Sequence, residues 1–339
     1  MTNQLITHIE QIQDSGTFSG TILVQKKDAV LANISYGYAN RADRLLNHTG
    51  TRFGIASGCK IFTAVAICQL IEEGKLSADT KLHECLDVKF PHFDHNITVH
   101  QLLTHTSGVP DYFDEDAMGD FEQLWIDRPM YHMRTPQDFL PLFQHEQMKF
   151  APGERFEYNN AGFILLGLII EKISGMNYSD YVQSRIFEKA GMRDSGYFEL
   201  DALPGGTATG YIDREDGTWR TNIYSLPAKG GPDGGAFVTA PDMIRFWDSL
   251  MNFKLLSQAM TMKLLTPHTE GEGDDYYGYG VWIGMKNKEI YKYHVMGYDP
   301  GICFHSAYYP ETDITLAVCA NISIGAYRMM MGIEDELGL

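Results

Sequence analysis

Ser57 and Lys60 stand three residues apart in FGIASGCKIFTAVAICQLIEEGKL. At the start of a helix that spacing puts both side chains on one face. A serine hydroxyl is a weak nucleophile until a neighbouring base takes its proton. A lysine serves as that base when burial or nearby cations lower its pKa. Phe53, Ile55, Ile61 and Phe62 supply an apolar setting, and a helix N-terminus brings positive dipole and free N–H groups to where an oxyanion would form. Taken alone the tetrapeptide is a weak signal, because a capping Ser beside a solvated Lys has the same spacing.

A second group lies in FAPGERFEYNNAGFILLGLIIEKISG, where a Pro–Gly turn leads to Tyr158, Asn159 and Asn160 just before a strongly apolar stretch. In an extended loop Tyr158 and Asn160 point to the same side. That pairs a phenol able to relay a proton with an amide able to bind a substrate carbonyl or orient Lys60. A helix N-cap at Asn160 with a packed Tyr158 is the plainer use of the same residues, and the cap is compatible with the catalytic role. In YHVMGYDPGICF, Gly297 and Gly301 bracket a turn beside a strand. Small residues let a backbone pass close to a substrate, and an N–H on that strand edge, at Tyr298, is placed to share an oxyanion with the N–H of Ser57.

Together these segments resemble the serine β-lactamase and penicillin-binding-protein superfamily, in its class C-like branch, which also contains D,D-peptidases, D-aminopeptidases and esterases. Ser57-Gly58-Cys59-Lys60 resembles the nucleophile motif, and Tyr158-Asn159-Asn160 the Y-x-N motif. Phe53 to Ala56 resembles the lead-in to the serine, Leu102 to Gly108 a signature loop, and Gly234 to Phe246 a later one. The likeness keeps this order from about Gly20 to Asn321, and such a series is far more specific than any one tetrapeptide. It implies a serine hydrolase that cleaves amides or esters through an acyl-enzyme, of the D-amino-acid peptidase or esterase type, with Ser57, Lys60 and Tyr158 catalytic. Asn160, His294, Gly297 and Tyr298 are the implied substrate-binding residues, and neither metal nor cofactor is expected. A β-lactamase or D,D-carboxypeptidase is the alternative among enzymes. A penicillin-recognising sensor with little turnover and a non-catalytic scaffold are the alternatives outside them.

One departure bears on substrate. The superfamily's third motif is commonly Lys-Thr-Gly or His-x-Gly followed closely by Pro-Gly. Aligned on Gly297, Pro300 and Gly301, this chain has Val295 where the cation belongs and Met296 at the hydroxyl position. His294 falls one residue early, and on a regular strand it faces the opposite side. A bulge at Val295 would return it to the site. With Val295 in place, binding of a substrate carboxylate is expected to be weak.

The elements that must carry these residues are legible in outline. Leu5, Ile6, Ile9 and Ile12 have helical spacing, so a helix is expected from Leu5 to Ile12. GTILVQKKDAVLANISYGYA reads as two strands turning at Lys26–Asp28. Ile61 to Glu73 reads as a helix ended by Gly74. From about Ser77 to Gly196 helix and loop dominate. Strands return in GGAFVTA, YGYGVWIGM, EIYKYHVM, ICFHSAYYP and DITLAVCANI, the later ones as an antiparallel meander, before a helix at Tyr327 to Leu337. Strands at both ends of the chain bracket a helical middle. The expected fold is therefore α+β, β-lactamase/transpeptidase-like, an antiparallel sheet flanked by helices. Residues 1–76 and 197–339 are expected to form one α/β domain, with 77–196 inserted as a mainly helical subdomain.

Composition limits the partners. Against 44 Asp+Glu the 339 residues carry 27 Lys+Arg, a formal net charge of −17, which argues against nucleic acid and anionic membrane surfaces. A small molecule or short peptide is the expected substrate, and the oligomeric state is left open. Five cysteines without C-x-x-C spacing fit a reducing compartment. No signal-peptide pattern begins the chain, and the apolar run Ala161–Ile170 falls short of the roughly 20 residues of a membrane span. A cytoplasmic location is expected. His83, His92, His95, His100 and His105 match no common zinc spacing, and His105 is expected to hold its loop by hydrogen bonds. The acidic stretch Asp111–Glu122 lacks calcium-loop spacing and reads as solvated surface or a cleft wall. Cys59 points away from Ser57 and reads as packing.

Overall fold

The structure is a computed structural model that describes residues 2–14, 17–113, 121–271, 273 and 275–339. Seven residues of the acidic stretch, 114–120, lie outside the described residues. The large sheet has eight strands: β1 (Gly20–Lys26), β2 (Ala29–Tyr36), β3 (Thr269–Glu270), β4 (Asp275–Tyr277), β5 (Trp282–Lys286), β6 (Glu289–Asp299), β7 (Ile302–Tyr309) and β8 (Ile314–Ala320). Their order is β2-β1-β8-β7-β6-β5-β4-β3, and every neighbouring pair is antiparallel. The first two strands thus join the C-terminal meander through β1 and β8, as strands at both ends of the chain require.

Alternation along the strands sorts the side chains onto two faces. On one face Cys303, Ala307, Leu316 and Val318 meet Leu5 and Ile9 of α1 (Thr2–Asp14) and Met329 and Ile333 from the C-terminal helix Ala326–Leu337. The other face, with Val295, Phe304, Ala317 and Cys319, shares one continuous core with the helices. At its centre is α2 (Lys60–Glu72), where every side chain from Lys60 to Leu70 is buried. A helix apolar on all sides is an interior helix. α2 ends as expected, with Gly74 left-handed at φ 69°. Beside it runs α3 (Asn160–Ser174), buried from Asn160 to Ile170 and closed by Gly175 at φ 71°. GGAFVTA contributes only the two-residue strand Phe237–Val238, which pairs with Phe53–Gly54 outside the large sheet. All five cysteines are free and buried, and no single described helix is long and apolar enough to cross a membrane.

Candidate active site

The Phe53–Gly54 pairing delivers the chain to a 3₁₀ turn, Ala56–Cys59, that runs directly into α2. Ile55 N donates to Ala236 O at 3.0 Å, and Gly235 N donates to Ala56 O at 3.2 Å, so the later signature segment clamps the residue before the nucleophile. Ala56 has φ 44°, a left-handed conformation that costs a non-glycine residue on the order of 1–2 kcal/mol. In a 3₁₀ turn side chains three apart eclipse, and Lys60 Nζ lies 3.0 Å from Ser57 Oγ. Ser57 stays partly open, while Lys60 is 2% exposed.

Around Lys60 Nζ stand two further acceptors, Asn160 Oδ1 at 2.8 Å and Asp233 O at 2.6 Å, and Nζ is 4.9 Å from the centre of the Tyr158 ring. A hydroxyl in contact with a buried amine can pass its proton to that amine, so the arrangement can activate Ser57. Cys59 packs as expected, its Sγ against Gly231 O at 3.6 Å, with burial pushing its thiol up to about 11.

The N-cap of α3 is Asn159 rather than Asn160: its Oδ1 accepts from Gly162 N at 2.7 Å. That shift of one residue leaves the amide of Asn160 for Lys60. His105 holds the same loop. Its Nδ1 accepts from Asn159 N at 3.0 Å, and its Nε2 meets Tyr277 OH at 3.1 Å. Burial, with the Lys60 charge adding, keeps the His105 pKa well below the ordinary range, so the neutral ring donates from Nε2. Tyr158 is sandwiched by rings, with His105 at 4.5 Å and Trp282 stacked at 6.1 Å. Of the other histidines, His83 lies on His95 O at 3.0 Å and His100 on Tyr279 OH at 2.9 Å, both apart from this loop.

The acidic stretch does supply a cleft wall, through Tyr112, Phe113 and Phe121, but the buried carboxylates of Asp111 and Asp233 escaped the sequence reading. Asp111, read there as part of a solvated or cleft-wall stretch, turns its carboxylate inward. Asn160 N (2.8 Å) and Ala161 N (2.9 Å) donate to it, as does Asn160 Nδ2 at 3.3 Å. Burial pushes the Asp111 pKa up to about 6 despite those N–H groups and Lys60, which lower it. Asp233 is raised by the same cause, and Tyr112 OH donates to its carboxylate. The available signals were an Asp three residues after the Leu102–Gly108 loop and another inside GGPDGG.

The third motif is where the expectation about His294 is corrected. Tyr293 to Asp299 pair with Tyr308 to Ile302 without a register shift, so no bulge occurs at Val295. Val295 therefore faces the core that holds α2, while His294 lies opposite Ala307 on the far face. There its Nε2 meets Asp275 Oδ2 at 2.9 Å, and burial keeps its pKa below the ordinary value. Gly297, which lines the cleft, also has a packing reason to be small. A Cβ on it would lie 2.1 Å from Ile55 O and 2.8 Å from both Ser57 N and Gly58 N. β5 pairs with β6 only as far as His294, so Val295–Asp299 present an open edge beside the serine turn. Tyr298 lines the cleft from that edge, its hydroxyl bonded to His305 Nε2.

The cleft above Ser57 has a volume of 530 Å³ and is also lined by Tyr158, Asn160, Trp282 and Gly297. An opened cleft over a Ser–Lys pair in hydrogen-bond contact is the opposite of the geometry that would support the non-catalytic scaffold. Fold and site are those of the β-lactamase-related class. The chain belongs to the Beta-lactamase family, whose model matches residues 5–331. It is 31% identical over 301 residues to penicillin-binding protein 4* of Bacillus subtilis, covering 84% of this chain and 64% of that one. It thus spans less than two thirds of the length of the curated relatives it matches. A penicillin binding protein from Bacillus halodurans superposes with a TM-score of 0.93 at 59% identity, over 98% of this chain and 99% of the other. The D-amino acid amidase of Ochrobactrum anthropi SV3 shares the fold, with a TM-score of 0.83 at 20% identity over 99% and 98% of the two chains.

Proposed function

We propose that the protein hydrolyses neutral or cationic amides and esters through an acyl-enzyme on Ser57, as a D-amino-acid peptidase or esterase. The observation that carries this reading is the lining of the cleft. Among the described residues no Lys, Arg or His lines it, whereas Asp233 and Asp299 do. Val295, at the place of the third-motif cation, adds no charge to receive a substrate carboxylate. Penicillins and peptidyl-D-alanine carry that carboxylate, so they fit the cleft less well than neutral amides and esters do.

In this mechanism the neutral Lys60 amine, with Tyr158 beside it, takes the Ser57 proton as Oγ attacks the carbonyl carbon. The N–H groups of Ser57 and Tyr298 receive the oxyanion. Collapse of the tetrahedral adduct breaks the bond to the leaving group, which takes a proton through Tyr158 and departs as amine or alcohol. Water then loses a proton to the same base, attacks the ester carbonyl and releases the acid, returning the proton to Ser57. Asn160 orients Lys60 and the substrate throughout. The test is covalent labelling with a fluorophosphonate, followed by turnover of p-nitrophenyl esters, D-amino-acid amides and nitrocefin. Ser57→Ala should abolish labelling, and esters and amides should turn over faster than nitrocefin. Labelling that survives in Ser57→Ala, or nitrocefin as the best substrate, overturns the reading.

A further inference from the structure

Behind the cleft lies a second chamber of 250 Å³. It shares Gly54, Leu200, Leu226, Phe237 and Ile302 with the cleft, so the two adjoin along a common wall. Of these, Leu226 and Ile302 form a small apolar cluster with Ala56, the residue before the nucleophile. Gly54 keeps the partition thin, since a Cβ there would lie 2.7 Å from Ile302 Cδ1. The chamber thus begins three residues before Ser57.

Its lining is uncharged and mostly apolar, with Thr209, Thr221, Asn222 and Asn321 as its polar side chains. Among the described residues no charged side chain lines it; Leu203, Ala208 and Ile223 add to the shared apolar wall. The two amides present are already engaged. Asn321 Nδ2 donates to Tyr38 O and Thr209 O, both at 2.9 Å, and its Oδ1 accepts from Ser19 Oγ at 2.8 Å. Asn222 Nδ2 donates to Pro300 O at 3.0 Å. An apolar cavity of about 150 Å³ holds a benzene ring, so this chamber has room for a phenyl ring on a short linker or a medium alkyl chain.

We propose that the chamber receives the apolar arm of the acyl group, which makes the preferred substrates esters or amides of medium-chain or arylalkyl acids. The assignment to the acyl side follows from the lining: Tyr158, which serves the leaving group, and Asn160 line the cleft but not the chamber. This inference rests on the acyl-enzyme reading for its catalytic form, while binding in the chamber is separable from turnover.

The experiment compares p-nitrophenyl acetate, butyrate, hexanoate and octanoate on the full chain, wild type against the chamber-filling Thr209→Phe and Thr221→Phe. In parallel, calorimetry measures hexanamide and octanamide binding to Ser57→Ala, alone and combined with each filling substitution. With each methylene worth about fourfold in transfer to an apolar site, kcat/KM should climb with chain length in the wild type. Each filling substitution should cut the hexanoate-to-acetate ratio at least tenfold, and amide binding to the Ser57→Ala protein should weaken in step. A flat chain-length profile, or a rising one that neither substitution changes, overturns the chamber. Ester turnover that persists in Ser57→Ala overturns the catalytic reading instead, and amide binding sensitive to the filling substitutions then still supports the chamber.

Discussion

Asn160 is held from two sides at once: Lys60 Nζ donates to its Oδ1 at 2.8 Å, while Asp111 accepts its backbone N–H, also at 2.8 Å. The amide can therefore neither rotate nor retreat without breaking a bond at the start of α3. Asn160→Ala should leave the fold in place but lower kcat/KM by about 10²-fold, since Lys60 loses an acceptor that aims it at Ser57. Asn160→Asp should not recover the loss, because its carboxylate would face Asp111, which now accepts from the amide Nδ2. Steady-state ester hydrolysis beside thermal melts checks this; an Asn160→Ala enzyme with wild-type kcat/KM removes Asn160 from the machinery.

Asp111 links that geometry to pH. Its folded pKa of about 6 lies above the ordinary 3.8, so folding takes up a proton between those values. The stability this gives is full below pH of about 3.8 and is lost as pH rises through about 6. Above that the ionised carboxylate costs on the order of 1–3 kcal/mol relative to the protonated form. What the ionised carboxylate provides in return is an acceptor for the first N–H groups of α3 and for the Asn160 amide that aims Lys60 at Ser57. Activity should fall as pH drops through about 6, and Asp111→Asn should lose both that acid limb and the matching slope in stability. Calorimetric melts and kcat/KM from about pH 4.5 to 8 measure the two together.

His294 and Val295 separate two roles that adjacent residues on one strand can be confused over. His294→Gln should change kcat/KM by less than about twofold, because its ring lies on the far face, and should cost about 1–2 kcal/mol through the Asp275 contact. Val295→Lys should instead raise acylation by benzylpenicillin relative to a neutral ester by about tenfold or more, at some expense in stability from a charge in a 2%-exposed position. If His294→Gln is as damaging to catalysis as Asn160→Ala, the assignment of faces is wrong.

How much of this was readable in the sequence depends on where each residue's partner lies. Ser57 and Lys60 are three apart, and Tyr158 and Asn160 two apart, so local geometry carried them. The strand EIYKYHVM was legible by alternation, but the direction of His294 turned on one residue of register, which only the pairing with β7 fixes. Asn159 and Asn160 are equally good caps on paper; Lys60, 100 residues away, takes the second and leaves the first for Gly162. The buried carboxylates of Asp111 and Asp233 were not legible because what buries them is distant: Tyr112 meets Asp233 across 121 residues. GGAFVTA reads as a full strand, yet Gly235 at φ 89° and the N-cap at Thr239 restrict it to two residues.

Gly297 gives the sharpest stability test, because a side chain there would strike backbone. A methyl group there would meet Ile55 O at 2.1 Å and the N–H groups of Ser57 and Gly58 at 2.8 Å. These are backbone atoms, so no side chain can swing aside to relieve the clash. Either β6 or the serine turn must move, and the turn is already strained at Ala56. Gly297→Ala should therefore cost about 3 kcal/mol or more and abolish fluorophosphonate labelling even at temperatures where the chain remains folded. Ala56→Gly, which relaxes the positive φ, should raise stability by up to about 1 kcal/mol and partly rescue the melting temperature of Gly297→Ala. Labelling at the wild-type rate in a folded Gly297→Ala protein means the strand and the serine turn are not in the contact described.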